Sequence, residues 1–390
     1  MTLPHLRLTG AQILHDGTFT DGAITVADGT LHNTGGRNLD LSGYWLLPGI
    51  IDLHGDAFER HMAPRPSAPF SPQVALTSTD LDAATCGVTT AWMAQSWSWE
   101  GGSRGPAAAL NFLETFEGYR PNALTDLRVQ LRCETYTFDT LEMMTHAIRR
   151  FGVDYVVFND HLWEAKWLGD NRPDELIGWA ARAGRTVAQH MELVEERLSR
   201  QAEVQPYLEA LMQVFNDHGV RSGSHDDATA DARDRFHALG ARTCEFPTAV
   251  EPAQRAKELG DPILMGAPNV ARGGSQSGNI AAEDLVRAGL CDALVSDYHY
   301  ASMPLAAFAL ADRGAMPLGQ AWQMISTNPA DIMSMSDRGR IAAGQRADLA
   351  IVNMETRTIE GTLSGGRWSH LAGDLAGRLS CMPQLSIAAE

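Results

Sequence analysis

The chain has 390 residues and only two lysines, Lys166 and Lys257, so nearly all of its positive charge is arginine. Positive charge is also outnumbered: 31 Lys and Arg stand against 48 Asp and Glu, for a net charge of −17. A nucleic acid or an anionic membrane surface calls for a basic face, and this balance argues against both. A small polyanion is still admissible, because metals and arginines can reverse the field inside one cleft. Cysteine is equally sparse. Cys86, Cys133, Cys244, Cys291 and Cys381 are scattered with no C-x-x-C pair, which reads as reduced thiols of a cytosolic protein, several of them in the core. No apolar run approaches the about 18 residues that a membrane span needs. The segment from Met1 to Arg7 lacks the basic and apolar regions of a secretory signal. A G-x-x-x-x-G-K-[ST] loop is missing too, which excludes a P-loop enzyme. The expectation is a soluble, cytoplasmic protein.

The two ends of the chain are β-rich. Leu6-Arg-Leu8, Ala11 to Leu14, Ala23 to Val26 and Tyr44 to Leu47 read as short strands separated by Asp16-Gly17, Asp21-Gly22 and Asp28-Gly29, and Asp-Gly between apolar runs signals a hairpin. Gly339 to Val352, Thr356 to Thr362 and Gly366-Arg-Trp368 give strands at the other end. Between them, apolar runs alternate with helical segments, the pattern of βα units around a parallel sheet. Eight such runs are read, at 50–56, 87–94, 127–134, 153–160, 219–225, 242–246, 262–268 and 292–297. Thr186 to His190 competes as a further strand; the reading places it at the head of the helical stretch running through Glu192 to Phe215. The expected fold is α/β: a (β/α)8 TIM-like barrel over residues 49–335, with a small β-sandwich built from residues 1–48 and 336–390.

Catalytic groups of such barrels lie at the C-terminal ends of the strands. Leu47 to Asp56 enters as a strand and ends on His54 and Asp56, two residues apart and therefore on one side. Later strands end in Glu134, His161, His225 and Asp297. Three imidazoles and three carboxylates form an N/O ligand set suited to zinc, manganese or iron(II) rather than a thiolate site. Six ligands suffice for two divalent ions if one carboxylate, Glu134, bridges them. Asp297 also serves as the proton acceptor.

This pattern resembles the amidohydrolase superfamily: H-x-[HD] after Leu47-Pro48-Gly49, Gly87-Val-Thr-Thr90, the late Asp297, and Gly339-Arg-Ile with Gly344-Gln-Arg-Ala-Asp-Leu-Ala350. A narrower resemblance is to its phosphonate-metabolism branch. It rests on Asp52-Leu-His54-Gly-Asp56 with Glu59-Arg-His61-Met-Ala-Pro-Arg65-Pro66, and on Leu131-Arg-Cys-Glu134, Ser224-His225-Asp-Asp227 and Glu245-Phe-Pro-Thr248. Met265-Gly-Ala-Pro-Asn269, Arg272-Gly-Gly-Ser275-Gln-Ser-Gly-Asn279 and Ser296-Asp297-Tyr298 extend it. Neither Lys166 nor Lys257 ends a strand where many members place a bridging carboxylated lysine, which leaves that role to Glu134. Two places depart from the branch: Leu162-Trp-Glu-Ala-Lys-Trp167 replaces a Thr-Pro-Gly-Gln-type loop, and Gln276 stands where histidine is usual.

The resemblance implies metal-dependent hydrolysis of a phosphoanhydride of a ribose 1-phosphonate 5-triphosphate, with release of diphosphate. The alternative is a binuclear amidohydrolase or deaminase acting on a cyclic amide or nucleobase-like substrate. A polyphosphate cradle is expected directly after strand seven, where Gly273 and Gly274 let backbone N–H groups approach, Ser275 and Asn279 donate, and Arg272 adds charge. Arg65, between Pro64 and Pro66, is a second candidate clamp. The expected partners are a small phosphorylated substrate and further copies of the chain.

Overall fold

The computed structural model describes residues 5–65 and 68–382; Pro66 of the motif above lies outside them. Eight parallel strands stand side by side in chain order. They are Ile50–Gly55, Val88–Trp97, Asp126–Glu134, Tyr155–Asn159, Arg221–His225, Thr243–Glu245, Ile263–Gly266 and Ala293–Val295, one for each run read from the sequence. Both faces are covered by packed residues, so strands are buried along their length rather than at alternate positions; all ten residues of Val88–Trp97 are buried. A large cluster packs strand residues such as Leu131 and Val156 against helix residues such as Phe112, Leu211 and Met303. A second, with Leu53, Trp92, Val157 and Leu264, lies among the strands themselves.

The ring closes between the first and eighth strands. Asp56 donates its backbone N–H to the Asp297 carbonyl at 2.7 Å, and Asp297 donates to the His54 carbonyl at 3.0 Å. Asp52, fully buried, accepts from the Ser296 backbone and hydroxyl at 2.8 and 2.6 Å. This seam leaves no room at Gly55, where a Cβ would meet Asp52 Oδ2 and Ser296 Oγ at 2.7 Å each.

The two termini build a second eight-stranded sheet, mostly antiparallel, joined into one hydrogen-bonded unit with its own core around Leu8, Leu39, Leu46 and Leu349. Asp16-Gly17 and Asp28-Gly29 are tight turns with positive φ at both residues. Asp21-Gly22 is not a turn. It lies inside the strand Thr18–Ala27, with Asp21 opposite Gln12, where a bulge in the strand Leu6–His15 shifts the register. That bulge also merges Leu6-Arg-Leu8 and Ala11–Leu14 into one strand. Thr186 begins a helix, Val187–Ser199, through a capping box with Gln189, so no ninth barrel strand forms there. Among the described residues no helix is long and apolar enough to cross a membrane, and all five cysteines are unpaired.

Candidate active site

At the carboxyl ends of the strands, one buried carboxylate organises half of the constellation. Glu245 ends the sixth strand with no exposure. Its Oε2 accepts the Nδ1–H of His54 at 2.8 Å and of His225 at 3.2 Å. Its Oε1 accepts from Gln130 Nε2 at 2.8 Å and from the Tyr155 hydroxyl at 2.6 Å. Burial would raise this carboxyl, but the two imidazoles over-compensate and hold it well below the usual range. Four donors use its acceptor positions, so Glu245 orients the histidines instead of presenting itself to the cavity. The two rings stack with centroids 5.0 Å apart, and with Nδ1 protonated each keeps Nε2 as its lone-pair atom. For His225 the assignment is independent: Arg132, which can only donate, sends Nη2–H to His225 Nε2 at 3.2 Å.

The other half repeats the device. Glu134 ends the third strand and accepts the Nδ1–H of His161 at 2.6 Å and its backbone N–H at 3.1 Å. Burial alone would lower the His161 imidazole, but Glu134 lifts it to about 9. Glu134 thus stands behind His161 rather than between two ligands, which corrects the bridge expected of it. The carboxylate placed between two imidazoles is Asp226, whose Oδ2 lies 3.9 Å from His161 Nε2 and 3.5 Å from His225 Nε2. Asp226 holds a left-handed backbone, φ 60°, which aspartate tolerates more readily than most residues.

Asp297 has the same unusual backbone, φ 54°, held by the seam bonds to His54 and Asp56. Burial first, and the neighbouring Asp56 carboxylate second, push its carboxyl up to about 6. Arg132 Nη1 approaches Asp56 Oδ2 at 3.8 Å. His225 Nε2 and the carboxylates of Asp56 and Asp226 therefore face one small space, with Arg132 the guanidinium among them. Arg132 supplies one positive charge to these groups, and imidazole nitrogens with carboxylates are an N/O donor set of the kind that fits a divalent metal. Among the described residues His54, His225 and Glu245 also group at metal-ligand spacing, a grouping that their own hydrogen bonds bring about.

A cavity of about 220 Å³ opens here, lined by His54, Arg132, His225, Asp297, Arg272, Ser275 and Asn279 among others. His161 lines an adjoining chamber. Of the six predicted ligands, His54, His225 and Asp297 share the first wall, His161 lies next door, Asp56 sits at the Arg132 edge and Glu134 is held behind His161. The loop after strand seven behaves only partly as expected. Arg272, Ser275 and Asn279 line the cavity, with Arg272 bonded to the Tyr298 hydroxyl and to Gln276. Gly273 and Gly274 instead spend their N–H groups on the Asn269 and Val270 carbonyls, capping the helix Ala267–Arg272. Their backbone is not free to cradle an anion. Arg65 is exposed and is not among the residues lining either cavity.

Arg132, Asp226 and Glu245 lie within the sequence motifs, but no role for them follows from those motifs. Each had a signal. Arg132 lies two residues before Glu134 on one strand, Asp226 follows the strand-ending His225, and Glu245 itself ends a strand.

The amidohydrolase family model matches residues 174–364. The β-aspartyl dipeptidase of Fervidobacterium islandicum AW-1, solved with a β-Asp-Leu dipeptide, superposes with a TM-score of 0.63 at 12% identity, covering 95% of this chain and 97% of that one. Dihydropyrimidinase from Brevibacillus agri NCHU1002 gives 0.61 at 12% identity, again over 95% and 97%. At that identity the two structures speak for the fold alone. The chain belongs to the amidohydrolase family. In sequence it is similar to the alpha-D-ribose 1-methylphosphonate 5-triphosphate diphosphatase of Escherichia coli (strain K12), 34% identical over 328 residues, which are 82% of this chain and 86% of the relative.

Proposed function

We propose that this protein is a metal-dependent diphosphatase that hydrolyses a phosphoanhydride of a ribose 1-phosphonate 5-triphosphate and releases diphosphate. The observation that carries the reading is the cluster of acceptors facing one space beside two arginines, Arg132 and Arg272, in a cavity of about 220 Å³. His54, His161, His225, Asp56, Asp226 and Asp297 are the residues that would hold two divalent ions, with zinc favoured over manganese and iron(II) by the imidazole-carboxylate set. Such ions, when bound, acidify water and offset phosphoryl charge.

The protein's own groups supply the rest. Asp297, pushed up to about 6, is suited to accept a proton from water near neutral pH. Arg132 and Arg272 neutralise charge on the departing diphosphate, the main electrostatic task in phosphoryl transfer. Ser275 and Asn279, on the same wall, donate to its oxygens. Arginines aimed at the cavity favour a phosphoanhydride over the alternative cyclic amide, which develops a single oxyanion. The test is diphosphate release from ribose 1-methylphosphonate 5-triphosphate by the metal-loaded protein. Release that stops on chelation supports the reading; no release with metal bound overturns it.

A further inference from the structure

The first cavity continues past His225, Asp226, Ser277 and Asn279 into a second chamber of about 810 Å³. It is far roomier than a methylphosphonate group requires. Tyr136, Trp163 and Trp179 give it aromatic walls, and Trp163, half exposed, belongs to the stretch that departs from the phosphonate branch. Glu100 and Thr135 also line it, only 5% and 3% exposed. Glu100 Oε2 and Thr135 Oγ1 have no hydrogen-bond partner, a costly state for buried oxygens. Burial pushes the Glu100 carboxyl up, with Glu134 adding to the shift. Carboxylates outnumber cations here: Glu100, Asp160, Glu164, Asp226 and Asp227 stand against Arg104, Arg235 and the raised imidazole of His161.

Resting on the reading of the first cavity as the polyphosphate site, we propose that the second chamber takes a purine base, and that the protein also hydrolyses purine nucleoside 5′-triphosphates. A flat neutral ring stacks on tryptophan and tyrosine faces. Its N–H edge supplies the donor that Glu100 Oε2 lacks. An uncharged base meets no like charge from these carboxylates. The step balances with water alone. One P–O bond of the α,β-bridge breaks, the water oxygen joins the phosphorus that loses it, the bridging oxygen leaves with the other, and the freed proton passes through Asp297 to solvent. The products are a nucleoside monophosphate and diphosphate.

The test is calorimetric titration of the full-length, metal-loaded protein with guanosine 5′-monophosphate and, separately, ribose 5-phosphate, which lacks the base. The nucleotide should bind at least about tenfold more tightly, the worth of one stacked base. Trp163→Ala, at an exposed position that leaves folding intact, should bring the ratio of the two affinities towards one. Equal affinities in the unaltered protein overturn the proposal. Diphosphate release from ribose 1-methylphosphonate 5-triphosphate judges the first cavity separately. Release alongside equal affinities removes the base site alone. A tenfold ratio without release keeps the base site and removes the diphosphatase reading, and with it hydrolysis of nucleoside triphosphates.

Discussion

Glu245 Oε2 lies 2.8 Å from His54 Nδ1, and both groups are buried from solvent. The same oxygen holds His225, so one carboxylate sets the tautomer and aim of two imidazoles. Partners of this kind commonly matter about 10–100-fold in metal affinity. Glu245→Gln should lower affinity by that factor with the far-ultraviolet circular dichroism unchanged. Competition against a chromogenic chelator measures it, and unaltered affinity would show that the carboxylate does not orient the rings.

The His161 imidazole, lifted to about 9 by Glu134, is protonated at neutral pH in the metal-free protein. A metal ligand must be deprotonated, so binding there displaces a proton. The sign is set by the raised value: affinity climbs as pH rises from 7 towards 9 and levels off beyond it. Calorimetry in buffers of different ionisation enthalpy should read about one proton released per His161-bound ion at neutral pH. A pH-independent affinity would place His161 outside the metal site.

Arg132 reaches both His225 and Asp56, and Arg272 stands on the same cavity wall. Removing one preorganised charge from a transition state typically costs about 10²–10³ in rate. Arg132→Met and Arg272→Met should each lose kcat/KM for diphosphate release by roughly that factor while metal content, read by elemental analysis, is retained. Undiminished diphosphate release in both variants would show that these two guanidiniums do not carry the phosphoryl charge.

Gly55 sits where the barrel closes. A Cβ there would lie 2.7 Å from Asp52 Oδ2 and Ser296 Oγ, and those two atoms are bonded to each other at 2.6 Å. Gly55→Ala should cost about 1–3 kcal/mol of stability, as overpacking does, seen as a lower urea midpoint. An unchanged midpoint would mean that the seam can open without penalty.

Barrel strands were legible where burial on both faces keeps a run apolar. Ile263–Gly266 and Ala293–Val295 are of that kind. The candidate histidines were legible because they stand at the ends of strand runs. Hydrogen-bond direction was not. Whether Glu134 faces a cavity or His161 Nδ1 depends on which rotamer the packing allows, and nothing in a one-dimensional pattern states it. The same holds for Gly273 and Gly274, whose amides are taken up by the preceding helix end. Asp21-Gly22 misled for a related reason: its turn chemistry was overridden by pairing with Gln12 across the bulge.

The most direct test is a phosphorus-31 NMR time course of the metal-loaded protein with ribose 1-methylphosphonate 5-triphosphate, alongside an Asp297→Asn variant. The account predicts a growing diphosphate resonance together with a new 5-monophosphate signal, both absent with the variant and with chelator. Inorganic monophosphate as the sole product, or equal rates with and without Asp297, would contradict it.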